Sequence, residues 1–506
     1  MVFSAPIFLF GFLPLVLIVA ALVPRRWTNA ALLAASLGFY WWGSGGQLVL
    51  LVVSITANHH GIRVMAGTHG AARRRWLATV VAANIAMLAV FKYTGFAWSI
   101  LRSGDPPAWL AVALPIGISF YTFQTVSAAV DVYRGQAEPL PRWVDFALFV
   151  SFFPQLIAGP IVRFAQMAPQ LRCRRWSLEA AYAGGARFVF GLGKKVLIAD
   201  SAAVVADAVF GRPGVSGTEA WLGALAFTVQ IYFDFSGYSD MAIGLGQVLG
   251  FRLPENFDRP YGARSVTEFW RRWHITLSRW FRDYLYIPLG GSQRSSAVTY
   301  RNLGIVFLLT GLWHGAAWTF VVWGAWHGSW LAVERASGRR HGQGVGRWVS
   351  TFVITVVGWV VFRASDLTEA WTLLRAMATD AFGGVDPVLW YDLGGRPLVA
   401  VAIGLASVAI PRTWVTGVWL GAAVPGTVAA SESVPTPLPS TDAPAAIVAP
   451  PRPVAGADTD TRTVIGSAPR PDLRTAAQVA MVVVGLPVVA VAVAAADVSP
   501  FLYFQF

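Results

Sequence analysis

Apolar runs of spanning or near-spanning length recur along almost the whole chain, and they constrain the fold more than any other feature. They fall at about 4–23, 29–42, 47–58, 77–98, 108–130, 144–162, 181–210, 219–250, 303–333, 349–363, 396–411 and 476–497. A hydrocarbon core offers the backbone no water, so every N–H and C=O must be satisfied within the protein, and the helix is the element that does this locally. Of the 506 residues, 56% are hydrophobic and only 13% charged, against about a quarter charged in soluble proteins. The fold class is therefore an all-α integral membrane bundle. Several runs are too short to cross alone or are interrupted by Gly and Pro, which predicts roughly 10–13 transmembrane helices with re-entrant and interfacial pieces.

Charge gives orientation and excludes some partners. The first run has no positive segment ahead of it, and Arg25 and Arg26 come after it; it reads as a retained helix with its N-terminus outside. Arg63 and Arg73–Arg75 then mark a cytoplasmic loop. The net charge of +13 belongs to such loops and their contact with anionic membrane lipids, so no nucleic acid is expected. The single cysteine, Cys173, excludes an internal disulfide framework and a Cys-rich metal site, and no metal is expected. Residues 1–422 form the membrane-embedded core. Residues 423–475, rich in Pro, Ala and Ser, carry no periodicity and read as a disordered loop. Residues 476–506 make a terminal helix and an aromatic tail.

Two places break the apolar pattern in ways that bear on function. His314 stands in Trp313-His314-Gly315 within the nearly uncharged stretch Leu303–Val333. An ionisable side chain at membrane depth is a functional-site candidate by default, and the alternative is a packing histidine that hydrogen-bonds a neighbouring helix. The segment 251–301 holds nine arginines against four acidic residues, which places it on the cytoplasmic side. Within it, Ser265 and Glu268 have the spacing of a capping box and predict a helix from Val266. Over 266–282, Trp270, Trp273, His274, Leu277, Trp280 and Phe281 fall on one face and Arg271, Arg272, Arg279 and Arg282 on the other, as in an interfacial amphipathic helix. His274 on that apolar face either lines a cavity or sits at headgroup level. His327 follows His314 by thirteen residues, about 140° away in an unbroken helix. The two face one pocket only if the helix breaks, and Gly311, Gly315, Gly324 and Gly328 permit a break or a close helix approach.

The runs Glu268-Phe-Trp-Arg-Arg-Trp-His274, Arg282-Asp-Tyr-Leu-Tyr-Ile-Pro-Leu-Gly-Gly291, Arg301-Asn302 and Gly311-Leu-Trp-His314-Gly-Ala-Ala-Trp318 resemble the signature of membrane-bound O-acyltransferases. The branch they are most similar to is the bacterial one typified by the alginate O-acetyltransferase membrane subunit. Phe153-Pro154-Gln155, Gly193-Lys194-Lys195 and Tyr232–Asp240 support the resemblance. It implies an acyltransferase in which His314 lies deep in the membrane, where a cytoplasmic and an external funnel meet, and His274 lies on the cytoplasmic approach. It further implies a cytoplasmic thioester donor, acetyl-CoA or an acyl carrier, and no bound cofactor. The acceptor would be an exported or cell-wall polysaccharide, with an external esterase-like partner of the SGNH type.

For such chemistry a desolvated imidazole suits a general base acting on an acceptor hydroxyl. Trp313, Trp318, Asn302 and His327 are candidates for the funnel or for oxyanion donors. Asp234 and Asp240 read as structural, satisfying helix partners in a broken segment. Arg271, Arg272, Arg279 and Arg282 are candidates for binding the donor's phosphates or an acidic carrier, and anionic headgroups are the other reading. Tyr503 is either an interfacial anchor or, by similarity to bacterial acylation systems, an acyl relay. Two alternatives stand: the same chemistry with a D-alanyl carrier donor, and a transporter with a proton-relay histidine.

Overall fold

The computed structural model describes residues 2–102, 107, 113–338, 344–410 and 481–495. The expected loop 423–475 and Tyr503 lie outside them. All regular structure among the described residues is helical. A π-turn at Phe8–Phe12 leads into α1 (Leu13–Leu22), followed by α2 (Thr28–Ser44), α3 (Leu48–Ala66), α4 (Gly70–Leu101) and α5 (Ile118–Tyr133). Short helices α6 (Trp143–Ser151), α7 (Phe153–Leu156) and α8 (Phe164–Arg172) precede α9 (Leu178–Gly193), which runs through the π-turn Lys194–Ala199 into α10 (Asp200–Val209). Next come α11 (Gly217–Val248), α12 (Val266–Arg272), α13 (Ile275–Phe281), α14 (Ser296–His314), α15 (Trp318–Ala336) and α16 (Val345–Arg363). The last are α17 (Leu367–Thr379), α18 (Pro387–Leu393), α19 (Gly395–Ala406) and α20 (Leu486–Ala495).

By length and hydropathy alone, α4, α16 and the stretch Arg25–Ala66 qualify as bilayer crossings, and α18 qualifies only together with Gly395–Ala409, at an 81° bend. The larger number expected from apolar runs differs because several runs are divided or internally polar. The run 303–333 is two helices, α14 and α15, separated by an extended Gly315. The 32-residue α11 is one continuous helix rather than the broken segment expected. Its buried sides carry Gln230, Asp234, Ser236 and Ser239.

Glycine seams let the central helices approach closely. A Cβ on Gly184 or Gly191 of α9 would lie 2.5 Å from the carbonyl oxygens of Gly244 and Gly237 of α11, so the backbones of this antiparallel pair touch. Likewise, a Cβ on Gly311 would lie 2.1 Å from the Phe320 carbonyl oxygen, and one on Gly324 2.4 Å from that of Phe307. This packs α15 back along α14. Buried charge between α9 and α11 is paired: Arg187 reaches Asp240 at 2.8 Å and Glu255 at 2.6 Å, and Lys194 reaches Asp240 at 2.7 Å. Lys195 reaches Asp234 at 2.8 Å and Asp200 at 2.7 Å. Asp234 and Asp240 are thus tied into helix packing.

The two ends of the bundle differ. Arg73, at the start of α4, donates to the Val132 and Tyr133 carbonyls at the end of α5 (3.0 and 3.1 Å). Arg134 donates to the Asp283 carbonyl at 3.1 Å. The arginine-rich segments 73–75 and 271–301 therefore gather at one end. The start of α5 lies about 24 Å away along its sixteen residues.

Candidate active site

The segment expected as one helix over 266–282 is broken. It starts at Val266 as predicted, with the Ser265 hydroxyl accepting from the Glu268 N–H at 3.0 Å. Glu334 of α15 caps the same turn, accepting from the Val266 and Thr267 N–H groups. The helix stops at Arg272, and His274 takes a left-handed conformation (φ 41°, ψ 55°) before α13 begins. That conformation is disfavoured for a residue with a Cβ and persists only where surroundings dictate it. Here Asn256 dictates it: its carbonyl accepts from the Ile275 N–H at 2.9 Å, and its side-chain oxygen meets His274 Nδ1 at 3.0 Å and accepts from Thr276 Oγ1 at 2.8 Å. Because that oxygen can only accept, Nδ1 carries the proton and Nε2 is the basic nitrogen. Asn256 is itself held by a bond to Ser239 Oγ on α11 (3.1 Å).

The break turns His274 inward, fully buried against Phe235 (4.8 Å between ring centroids). The one-face expectation for an unbroken helix is therefore replaced by two short helices that hold the histidine between them. Trp313 stands between the candidate histidines, 5.9 Å from His274 and 5.0 Å from His314. Phe120 and Phe123 of α5 pack on it at 5.5 and 5.6 Å.

His314 is the last residue of α14. Its ring contacts Trp323 at 5.1 Å and Phe362 at 5.2 Å. The chain then breaks, which removes the 140° separation expected from His327. After the break, His327 packs on the same Trp323 at 5.1 Å and on Trp270 at 5.3 Å.

The carbonyls at the end of α14 need partners. Tyr93 donates to Leu312 O at 2.8 Å, and Lys92 Nζ donates to Trp313 O and, at 3.2 Å, to His314 O. A cavity of about 150 Å³ opens beside this helix end, with Lys92, Leu114, Ser119, Phe120, Trp313 and His314 in its wall. It lies at the end of α5 away from the arginines.

Other candidates go elsewhere. Asn302, twelve residues before His314 on α14, is about 18 Å away and ties down the preceding loop by donating to Leu289 O and Gly291 O (3.3 and 3.1 Å). Trp318 is 53% exposed and packs on Phe96. Asn302 is not placed to act on an oxyanion at His314, because the length of the helix separates them, whereas Trp318 is half-exposed beside α4. Arg272 is paired with Glu268, and Arg282 with Asp283 at 2.7 Å. Arg271 and Arg279 stay exposed at the arginine-rich end. Sequence reading missed Asn256, Lys92, Tyr93 and Glu334. Lys92 carries a signal, a cation inside the apolar run 77–98; Asn256 carries none, since its partners are contributed from 17 to 20 residues away.

The family model described as "MBOAT, membrane-bound O-acyltransferase family" matches residues 69–351, which include His274, His314 and His327. The chain belongs to the membrane-bound O-acyltransferase family. It is a multi-pass membrane enzyme that transfers acyl groups, and an acyl donor is one of its substrates. The chain is 48% identical over 388 residues to the probable alginate O-acetylase of Pseudomonas aeruginosa, covering 74% of this chain and 75% of that protein. It is 38% identical over 425 residues to the peptidoglycan O-acetyltransferase of Helicobacter pylori, covering 74% and 80%. To the teichoic acid D-alanyltransferase of Bacillus subtilis it is 29% identical over 230 residues, covering 42% and 56%.

Proposed function

We propose that this enzyme moves acetyl groups from cytoplasmic acetyl-CoA through the membrane for O-acetylation of an exported or cell-wall polysaccharide. The observation that carries this is the position of His314, at a cavity on the end of the bundle opposite the arginines. Positive charge next to membrane spans faces the cytoplasm, so the arginine end receives the donor and the cavity receives the acceptor. Arg271 and Arg279 are the side chains available to the donor's phosphates. The greater identity and coverage with the two acetyl-transferring relatives than with the D-alanyl one supports acetyl as the group moved.

In this reading the acceptor hydroxyl loses its proton to the His314 ring while its oxygen attacks the thioester carbonyl carbon. The carbonyl oxygen becomes an oxyanion. Collapse restores the C=O, breaks the C–S bond, and the thiolate takes the proton from His314. His274 lies across Trp313 on the donor side, with Nε2 as its basic nitrogen. An external esterase-like partner and a Tyr503 relay belong to the same reading on the family resemblance alone.

The test supplies radiolabelled acetyl-CoA, or a D-alanyl carrier in parallel, to inverted membrane vesicles and follows label into polysaccharide. His314→Ala is expected to abolish acetyl transfer while the protein inserts and accumulates. Normal polysaccharide acetylation in that variant overturns the assignment.

A further inference from the structure

The transfer step creates negative charge on the thioester oxygen, and two of the polar groups favoured from sequence do not meet it. Asn302 is tied to a loop about 18 Å from His314, and Trp318 is exposed on the outside of the bundle. The cavity beside His314 has a cation in its wall instead. Lys92 is half-buried on α4, and its ammonium donates to the backbone carbonyls of both Trp313 and His314. It also lies 6.0 Å from the Trp313 ring centroid. An ammonium has three protons, and two carbonyls leave one for a group entering the cavity.

The carbonyls that anchor Lys92 are the negative end of α14, where a cation is held favourably. The same cavity is also lined by the first turn of α5, Gly117 to Phe120, whose N-cap residue Gly117 supplies no side-chain cap. Its partial positive charge adds to that of Lys92 on the same space. Gly117 (φ 73°) holds this turn against α7, where a Cβ would lie 2.7 Å from Leu156 O. Both positive features are fixed before any substrate arrives, which is what stabilising a developing charge requires.

We propose that Lys92 is the cation that stabilises the oxyanion formed when the acceptor hydroxyl attacks the thioester at His314. This rests on the reaction proposed above. The oxyanion forms as the hydroxyl proton passes to His314, is held by the third Lys92 N–H, and disappears as the C–S bond breaks. Lys92 gains and loses no proton in the step.

The experiment uses the full chain in lipid nanodiscs with acetyl-CoA and the alkali-deacetylated exported polysaccharide of the producing strain, reading ester formed and free CoA. Lys92→Met, which keeps length but not charge, is expected to lower kcat about 10²- to 10³-fold. KM for acetyl-CoA should stay as in the unsubstituted protein, the fall in kcat per folded molecule should far exceed any fall in unfolding temperature caused by the two freed carbonyls, and Lys92→Arg should recover most of the rate. Tyr93→Phe removes the adjacent cap on Leu312 O without touching charge and should lower kcat far less than Lys92→Met does. The proposal is overturned if Lys92→Met loses activity only in step with unfolding, or if Tyr93→Phe falls as far. Failure of the acetyl-CoA reading appears instead in the unsubstituted protein, which would then turn over only another thioester. The Lys92→Met ratio is then read with that donor.

Discussion

The α9–α11 seam and the His314 pocket bury polar groups at similar depth and solve the problem in opposite ways. In the seam, Arg187, Lys194 and Lys195 each face one or two carboxylates within 2.8 Å. In the pocket, His314 is surrounded by Trp313, Trp323 and Phe362, and the nearby cation is anchored to backbone carbonyls rather than to an acid. Buried charges that have found partners hold helices together but are unavailable for chemistry. A histidine held among rings at membrane depth, without a carboxylate partner of that kind, is the one to read as a functional-site candidate. The difference teaches which buried ionisable groups to read as architecture and which as reaction chemistry.

The comparison breaks most sharply at its two poles. His314→Ala should lower transfer by at least about 10²- to 10⁴-fold, the usual range for removing a general base, while leaving the detergent unfolding temperature in place. A parallel drop in that temperature would mean the pocket is architecture too. Arg187→Met should do the reverse. Asp240 keeps Lys194 and the Glu255 side chain is 42% exposed, so the lost charged hydrogen bonds cost about 1.5–3 kcal/mol, to be read as poor accumulation and a lowered unfolding temperature, with transfer per folded molecule preserved.

Between the poles, Asn256→Ala should reduce both quantities. It strips a buried bond from His274 Nδ1 and another from Thr276, for about 1–3 kcal/mol, and frees the ring, so transfer falls with stability; unchanged transfer would remove His274 from the site. Asn302→Ala should cost about 1 kcal/mol through two lost loop bonds and leave transfer intact. Trp318→Ala should change stability by no more than about 0.5 kcal/mol, and a large loss of transfer there would restore it as a funnel residue.

Legibility followed the range of the interactions. The helix start at Val266 was readable because a cap is a bond over three residues. His314 was readable because a lone ionisable side chain in an apolar run is costly wherever it lies; Lys92 carries the same signal and was overlooked. The break at His274 was not readable. Local spacing favoured one helix face, and the left-handed turn exists because Asn256, eighteen residues earlier in the chain, captures the backbone there. Arg272 and Arg282 are paired by acids at i−4 and i+1, contacts short enough to be legible in the sequence.

By itself the sequence determined the solvent, the helical class and the family, and marked two histidines as candidates, since these depend on composition and on short motifs that need no partner. The tertiary structure alone decided that α14 ends at His314, that Trp313 lies between the histidines, and that a lysine from α4 reaches that helix end. Each of those rests on contacts across 39 to 222 residues, and no local pattern records which distant side chain will satisfy a freed carbonyl.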